Sequence, residues 1–401
     1  MSGNGPMRRS SWTDAAIWAI AHAVNDGYPT LYLALLPALM IRWHFTESQA
    51  GLLAGLLAVT TQALQPIMGM WADSRGGPWF IVGGLLVGSL GNALGLAWAP
   101  SYTIFAVVLM LGGLGNAAFH PHMAALVSQS VLGHKGRRMS GWMVSGMIGH
   151  ILAPLAVVAA WQWGGKFGMA ALALPGIAAA GLLFSSARTI PTLPRSRRHL
   201  IKVGWASVWQ RGRAFFVLVA LRNLGTASLL TLLPIVWHQR GGAFTQTGAL
   251  LAVVYSLGMV GNVLGGSASD RWGPRPILIV SLLGASLAAV GGAIGTGTGW
   301  SFWLTVAVWG FAVNGAGAVL LVYGQSLFPE RLGMASGLTM GVGNTVGAFG
   351  AWAVGIVAQA QGTAVAILVA AGCLGIAVLP TLWVGVTRTT GGGSGEGPGS
   401  S

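Results

Sequence analysis

The stretch GNAAFHPHMAAL (115–126) sets His120, Pro121 and His122 inside a long apolar run, where an imidazole has little to bond to. Other polar groups share that setting. His22 and Asp26 are four residues apart, on one face of a helix, where they can share a proton whose affinity follows pH. Asn25 and Pro29 lie in the same wide stripe. A charge at the centre of a membrane helix costs about 2.5–3.5 kcal/mol on insertion scales, so Asp26 and Arg222 are functional candidates by default. His150 is a further intramembrane imidazole, placed to approach the helix of His120. His120 and His122 project about 200° apart around a helix, so Asn116 shares a face with His120 while His122 points elsewhere. Pro121 removes a backbone donor and is expected to bend its helix. No carboxylate or thiolate accompanies His120, His122 and His150 on one helical face, so no metal site is expected. The one cysteine, Cys373, excludes an internal disulfide.

Lipid-spanning helices must position these residues. The 401 residues are 54% hydrophobic and only 7% charged, against roughly a quarter charged in soluble domains. The 64 glycines have no collagen period and suit close helix packing in a membrane. Roughly 20 apolar residues cross a bilayer. Twelve segments qualify, near 13–40, 48–71, 78–98, 101–131, 139–161, 167–188, 212–238, 244–268, 275–296, 300–327, 333–359 and 362–387. The first is too long and too studded with polar residues for a cleaved signal peptide, and is expected to be a retained span. The expected organisation is a disordered N-terminus (1–12), a six-helix bundle (13–188), a linker (189–211), a second six-helix bundle (212–387) and a disordered tail (388–401).

The net charge of +14 does not indicate nucleic acid, because the basic residues sit in short loops. With the N-terminus inside, seventeen Lys and Arg fall on the cytoplasmic side and three (Arg42, Lys166, Arg240) on the other. The positive-inside rule then puts both termini in the cytoplasm, as an even number of spans requires. Trp12, Trp43, Trp98, Trp161, Trp163 and Trp300 are expected as interfacial anchors.

The halves repeat. Asp73 and Asp270 are 197 residues apart, as are Leu35-Leu36-Pro37 and Leu232-Leu233-Pro234, and the same register sets Asn25-Asp26 opposite Arg222-Asn223. Duplicated halves around a midplane site are a transporter architecture.

The loop pattern Gly266, Asp270, Arg271, Gly273, Arg275, with a degraded first copy in Gly69, Asp73, Arg75, resembles the signature of the major facilitator superfamily. Within it, His22-x-x-Asn25-Asp26, Leu36-Pro37, Gln65-Pro66-x-x-Gly69 and Phe119-His120-Pro121 resemble the fosmidomycin-resistance group of efflux transporters. Gly149-His150-Ile151-Leu152-Ala153-Pro154 resembles an exporter motif with Ala in place of its second Gly. The arginine that many drug–proton antiporters carry in the fourth span is absent; Leu109 stands near its place. The resemblance implies an all-α membrane protein of twelve helices in two pseudo-symmetric bundles. It implies that the two loops gate the conformational exchange, each Asp capping a neighbouring helix and pairing with Arg. It also implies that the first and seventh spans face a central cavity, where Asp26 and Arg222 are expected to pair in one state.

The expected function is proton-coupled efflux of a small organic, anionic compound across the cytoplasmic membrane, by a monomer without cofactor, enzymatic activity or nucleic-acid partner. The expected substrate and proton pathway comprises His22, Asn25, Asp26, Asn116, His120, His150, Arg222, Asn223, Asn314 and Gln325. Gln62, Gln65 and Tyr323 are expected at helix interfaces or the cavity wall. No P-loop, Gly-x-Ser-x-Gly elbow or His-Glu-x-x-His is present, so an ion gradient is the expected energy source. A metabolite importer and a non-transporting sensor are the rival expectations.

Overall fold

The computed structural model describes residues 12–65, 67–68, 71, 78–129, 135–187, 205–327, 341 and 343–384, and among them every regular element is a helix. The first span is α1 (Trp12–Gly27), a 3-10 turn (Tyr28–Thr30) and α2 (Leu31–Trp43). Pro29 breaks it, having no N–H to give, and the Thr30 hydroxyl takes up the Gly27 carbonyl at 2.7 Å. α2 ends at His44, a left-handed residue with φ 52°. Thr46 and Gln49 then cap α3 (Glu47–Ala58) reciprocally, at 2.9 and 3.3 Å. A π turn (Val59–Ala63) follows.

α4 (Pro78–Trp98) and α5 (Tyr102–Gln129) are the third and fourth spans. α6 (Lys135–Ala171) folds back at Gly165, whose φ of 51° and ψ of −132° favour glycine. The fifth span precedes that fold; the sixth is completed by α7 (Ala173–Ala187). The second half contains α8 (Trp205–Gln239), α9 (Thr247–Trp272), α10 (Pro274–Ile294), α11 (Trp300–Gly315) with α12 (Gly317–Leu327), α13 (Gly343–Gln361), and α14 (Thr363–Ile376) with α15 (Val378–Thr381). Eight helical stretches among the described residues are long and apolar enough to cross a membrane, and one, Gly141–Ser186, holds both spans that meet at Gly165. The arrangement is all-helical, in two pseudo-symmetric bundles.

The duplication is visible in matched contacts. Arg42, after the first span, donates to the Leu96 and Ala99 carbonyls at 3.1 and 3.3 Å, where α4 ends. Arg240, after the seventh, donates to the Gly292 carbonyl at 2.7 Å, where α10 ends. Each guanidinium meets the negative end of a helix dipole.

The halves touch through small residues at one end of the bundle. Gly51 on α3 packs on the backbone of Ala351 and Trp352, and Gly355 on that of Glu47 and Ser48. Gly248 on α9 meets Pro154 and Leu155, and the Thr247 hydroxyl donates to the Ala34 carbonyl at 2.8 Å. Gln239 Nε2 donates to Glu47 Oε1 at 3.3 Å beside them. Further along, Thr345 Oγ1 donates to the Ala58 carbonyl at 3.4 Å.

α5 is one continuous helix with Pro121 inside it. The tryptophans divide: Trp12, Trp98, Trp163 and Trp300 are exposed, whereas Trp43 and Trp161 pack on Phe105 and Phe244. α8 starts at Trp205, inside the segment expected as linker. Gly69, Asp73, Arg75, the chain ends and residues 188–204 lie outside the described residues.

Candidate functional site

The ionisable residues of the first half converge. α1 presents His22 and Asp26 one turn apart, and His22 Nε2 lies 3.1 Å from Asp26 Oδ2. α5 brings His120 alongside, its Nε2 3.0 Å from Asp26 Oδ1. Both contacts belong to the one Asp26 carboxylate. Asn25 Nδ2 donates to the same Oδ1 at 3.1 Å. Asn116 Nδ2 donates to the Asn25 carbonyl at 3.3 Å, which ties α5 to α1 just beside the pair.

The fifth span covers the cluster. His22 stacks on Trp142 with ring centroids 3.7 Å apart and planes 9° apart. His22 Nδ1 lies 2.7 Å from the Trp142 carbonyl and 3.3 Å from Ser145 Oγ. Gly146 makes that approach possible: a Cβ there would stand 2.5 Å from Asp26 Oδ2 and 2.7 Å from His22 Cε1. The His22 side chain is 5% exposed and that of His120 is 23%, so the cluster has an inner and an outer imidazole.

Three ligating atoms, from His22, Asp26 and His120, lie within 4.8 Å of one another. Asp26 reaches His120 from another helix, which reasoning on single helical faces does not register. Their 3.0 and 3.1 Å contacts are hydrogen-bond lengths. Ligands around a tetrahedral zinc stand further apart, about 3.3 Å given bonds of about 2.0–2.1 Å.

The expected pair of Asp26 with Arg222 is not formed in this conformation: the carboxylate oxygens meet His22 and His120, and the guanidinium bonds within the second half. Arg222, on α8, donates from Nη1 to Asn223 Oδ1 and from Nη2 to the Val313 carbonyl on α11, each at 2.8 Å. Its Nε is buried without a hydrogen-bond partner. Asn223 is buried against Gly347 of α13.

His150 does not close on His120. Its Nδ1 bonds the Gly146 carbonyl one turn back at 3.0 Å, and its ring meets Tyr255 of α9 at 5.4 Å, across the two halves. His122 stacks on Phe80 at 5.5 Å, on the side away from Asp26, as its helical angle requires. Asn314 Nδ2 donates to the Gly310 carbonyl of its own helix at 2.9 Å and packs on Gly258. Gln325 is half-buried on α12, Tyr323 packs on Phe215, and Gln65 bonds the Thr61 carbonyl at 2.7 Å. Gly266, Asp270, Arg271, Gly273 and Arg275 stand where α9 meets α10. Gly273 makes the turn with φ 83°, followed by Pro274 at the first helical position. Asp270 forms no ion pair among the described residues, and Arg271 lies over the Trp272 ring at 5.6 Å.

Sequence reasoning missed Trp142, Ser145, Gly146 and Tyr255. Their one available signal is the small pair Ser145-Gly146, one turn before His150, on a helix that otherwise reads as packing.

The sequence model of the family described as Major Facilitator Superfamily matches residues 18–351. The chain is similar to the fosmidomycin resistance protein of Escherichia coli (strain K12), 26% identical over 358 residues, covering 88% of this chain and 87% of that protein. It is similar to the MFS-type transporter YfnC of Bacillus subtilis (strain 168), 28% identical over 86% of each chain. Among solved structures, a bacterial homologue of the human lysosomal transporter Spinster, in an inward-facing and occupied conformation, superposes with a TM-score of 0.78. That match is 14% identical and covers 95% of this chain and 97% of the other, a likeness of fold.

Proposed function

The chain belongs to the Major Facilitator Superfamily, a family of membrane transporters, and from that premise we propose that it is a proton-coupled exporter of a small organic anion. It is a multi-pass membrane protein, and transport of a small molecule is its general activity. The specific reading is alternating access, with residues 13–188 and 212–387 as the two moving bodies and both termini in the cytoplasm. In that orientation the contacts around Glu47, Gly51 and Gly355 close the outer end.

One observation carries the reading: the Asp26 carboxylate is held between two imidazoles on two helices. Imidazole is the side chain whose ordinary titration spans physiological pH, so this is a place to bind and release protons during a cycle. Arg222 supplies a buried guanidinium with no acidic partner among the described residues, suited to a carboxylate or phosphonate on the substrate. Export as the direction is supported by the resistance function in the name of the Escherichia coli relative.

The charge of the site favours a second reading. Protons on the Asp26 cluster and an anion on Arg222 neutralise one another, so the two would enter together by cotransport. The full chain in liposomes, under an imposed pH gradient and with fosmidomycin or simple organic carboxylates as probes, separates the two. Exchange predicts proton flux opposite to the probe, and cotransport predicts flux in the same direction. Probe movement with no response to the gradient rejects proton coupling in both forms.

A further inference from the structure

The outer nitrogens of the two histidines fix their tautomers. His22 Nδ1 lies 2.7 Å from the Trp142 carbonyl, and the Ser145 hydroxyl donates to that same carbonyl at 2.6 Å. A carbonyl oxygen only accepts, so His22 Nδ1 carries its hydrogen. His120 Nδ1, 3.1 Å from the Asn116 carbonyl, carries its own by the same rule. In both rings Nε2 is then the exchangeable end, and both Nε2 atoms face Asp26, one on each oxygen. A bare Nε2 and a carboxylate oxygen each present lone pairs, so a contact of 3.0 or 3.1 Å requires a proton between them. Two contacts require two protons.

From this geometry we infer that the His22–Asp26–His120 cluster loads two exchangeable protons, one per contact, and that its net charge alternates between +1 and −1. The count is the same whether each proton sits on nitrogen or oxygen. Losing one leaves lone pairs facing across one contact, which opens; losing both opens the second. Each released proton passes to water as hydronium, with no other bond changed. The Asn25 Nδ2 donor remains on Asp26 Oδ1 throughout. His120, the more exposed ring, exchanges first, and His22, covered by the Trp142 ring, exchanges through Asp26. Of the other elements packed against α1, the fifth span contributes His150, whose Nδ1 faces the Gly146 carbonyl. α4 and α7 carry no ionisable side chain. The role of this count in transport rests on the proton-coupled reading above; the loading itself does not.

The test is nitrogen-15 NMR of the full chain labelled at histidine, with signals assigned by His22→Gln and His120→Gln. On raising the pH, both rings are expected to lose the Nε2 proton and end as the neutral Nδ1–H tautomer. Proton release on raising the pH, counted with an indicator dye, should be two per chain greater in the wild type than in the double variant. Neutral rings in the Nε2–H form, or a difference of one proton, would overturn the inference. If the double variant does not fold, the wild-type tautomers and the single variants still decide it. Two protons released by a chain whose transport ignores the pH gradient would leave the count standing and remove the proton-coupled reading.

Discussion

His120 closes a 3.0 Å ion pair onto Asp26 from α5, on the oxygen that the His22 contact leaves free. The two rings stand 5.4 Å apart, edge to face. Moving α5 away from α1 therefore breaks one contact and leaves the other, so helix position and protonation are linked through a single carboxylate. An asparagine keeps the shape of that carboxylate and can still bond both rings, but it cannot share their protons. Asp26→Asn is expected to fold, to exchange labelled probe for unlabelled probe across a membrane, and to lose all response to an imposed pH gradient. Retained acceleration by the gradient would place proton coupling elsewhere.

Gly146 gives a sharper test of the packing above the cluster. Gly146→Ala sets a methyl group 2.5 Å from Asp26 Oδ2, and overpacking of this kind costs about 1–3 kcal/mol. Gly141→Ala, on the same helix with nothing within 4 Å, should instead be neutral or up to about 1 kcal/mol stabilising. Thermal unfolding of the two variants in one detergent compares them directly. Equal melting temperatures would contradict the close approach of the fifth span to α1.

Arg222 divides charge from geometry. Lysine keeps the charge but cannot donate to Asn223 and the Val313 carbonyl in the same fork, and glutamine removes the charge altogether. Hydrogen bonds to a charged group contribute about 1.5–3 kcal/mol, so Arg222→Gln should weaken binding of an anionic probe roughly 10- to 100-fold. Arg222→Lys should fall between. Unchanged affinity in both, measured by titration calorimetry, would remove Arg222 from the substrate site.

The closed end of the bundle can be held shut. Glu47 and Gln239 meet across the halves at 3.3 Å. With Cys373 replaced by serine, Glu47→Cys with Gln239→Cys joined by a short, cleavable bifunctional thiol reagent should stop transport. Cleaving the linker should restore it. Transport that continues through the cross-link would show that this end does not open during the cycle.

Arg42 and Arg240 make the same cap on α4 and α10. Replacing either by alanine removes a cation from a helix C-terminus, which costs about 0.3–1 kcal/mol, and up to about 2 in a partly buried setting. Similar losses of thermal stability in the two variants are expected from the duplication. A loss confined to one would mean that the matched positions have diverged in role.

Much of this architecture is legible in the chain alone. Apolar segments of bilayer length mark the helices, and a register of 197 residues marks the two halves, whose duplication shows again in the paired caps of Arg42 and Arg240. The His22–Asp26 contact is legible too, because both residues lie on one helix and 3.6-residue periodicity sets their distance. Pairings between helices are not. Nothing in the chain near His120 announces that its carboxylate lies on α1, and nothing near Asp26 announces that its second partner is an imidazole and not Arg222. Helical periodicity assigns a direction around an axis, whereas the identity of the facing group depends on how two axes pack and at what depth. Here small residues decide that. Gly146 lets the fifth span settle over His22 and Asp26, and the Asn116–Asn25 bond sets the height of α5 against α1. The sequence determined which residues could carry charge inside the membrane; only the packing of helices decided which of them share it.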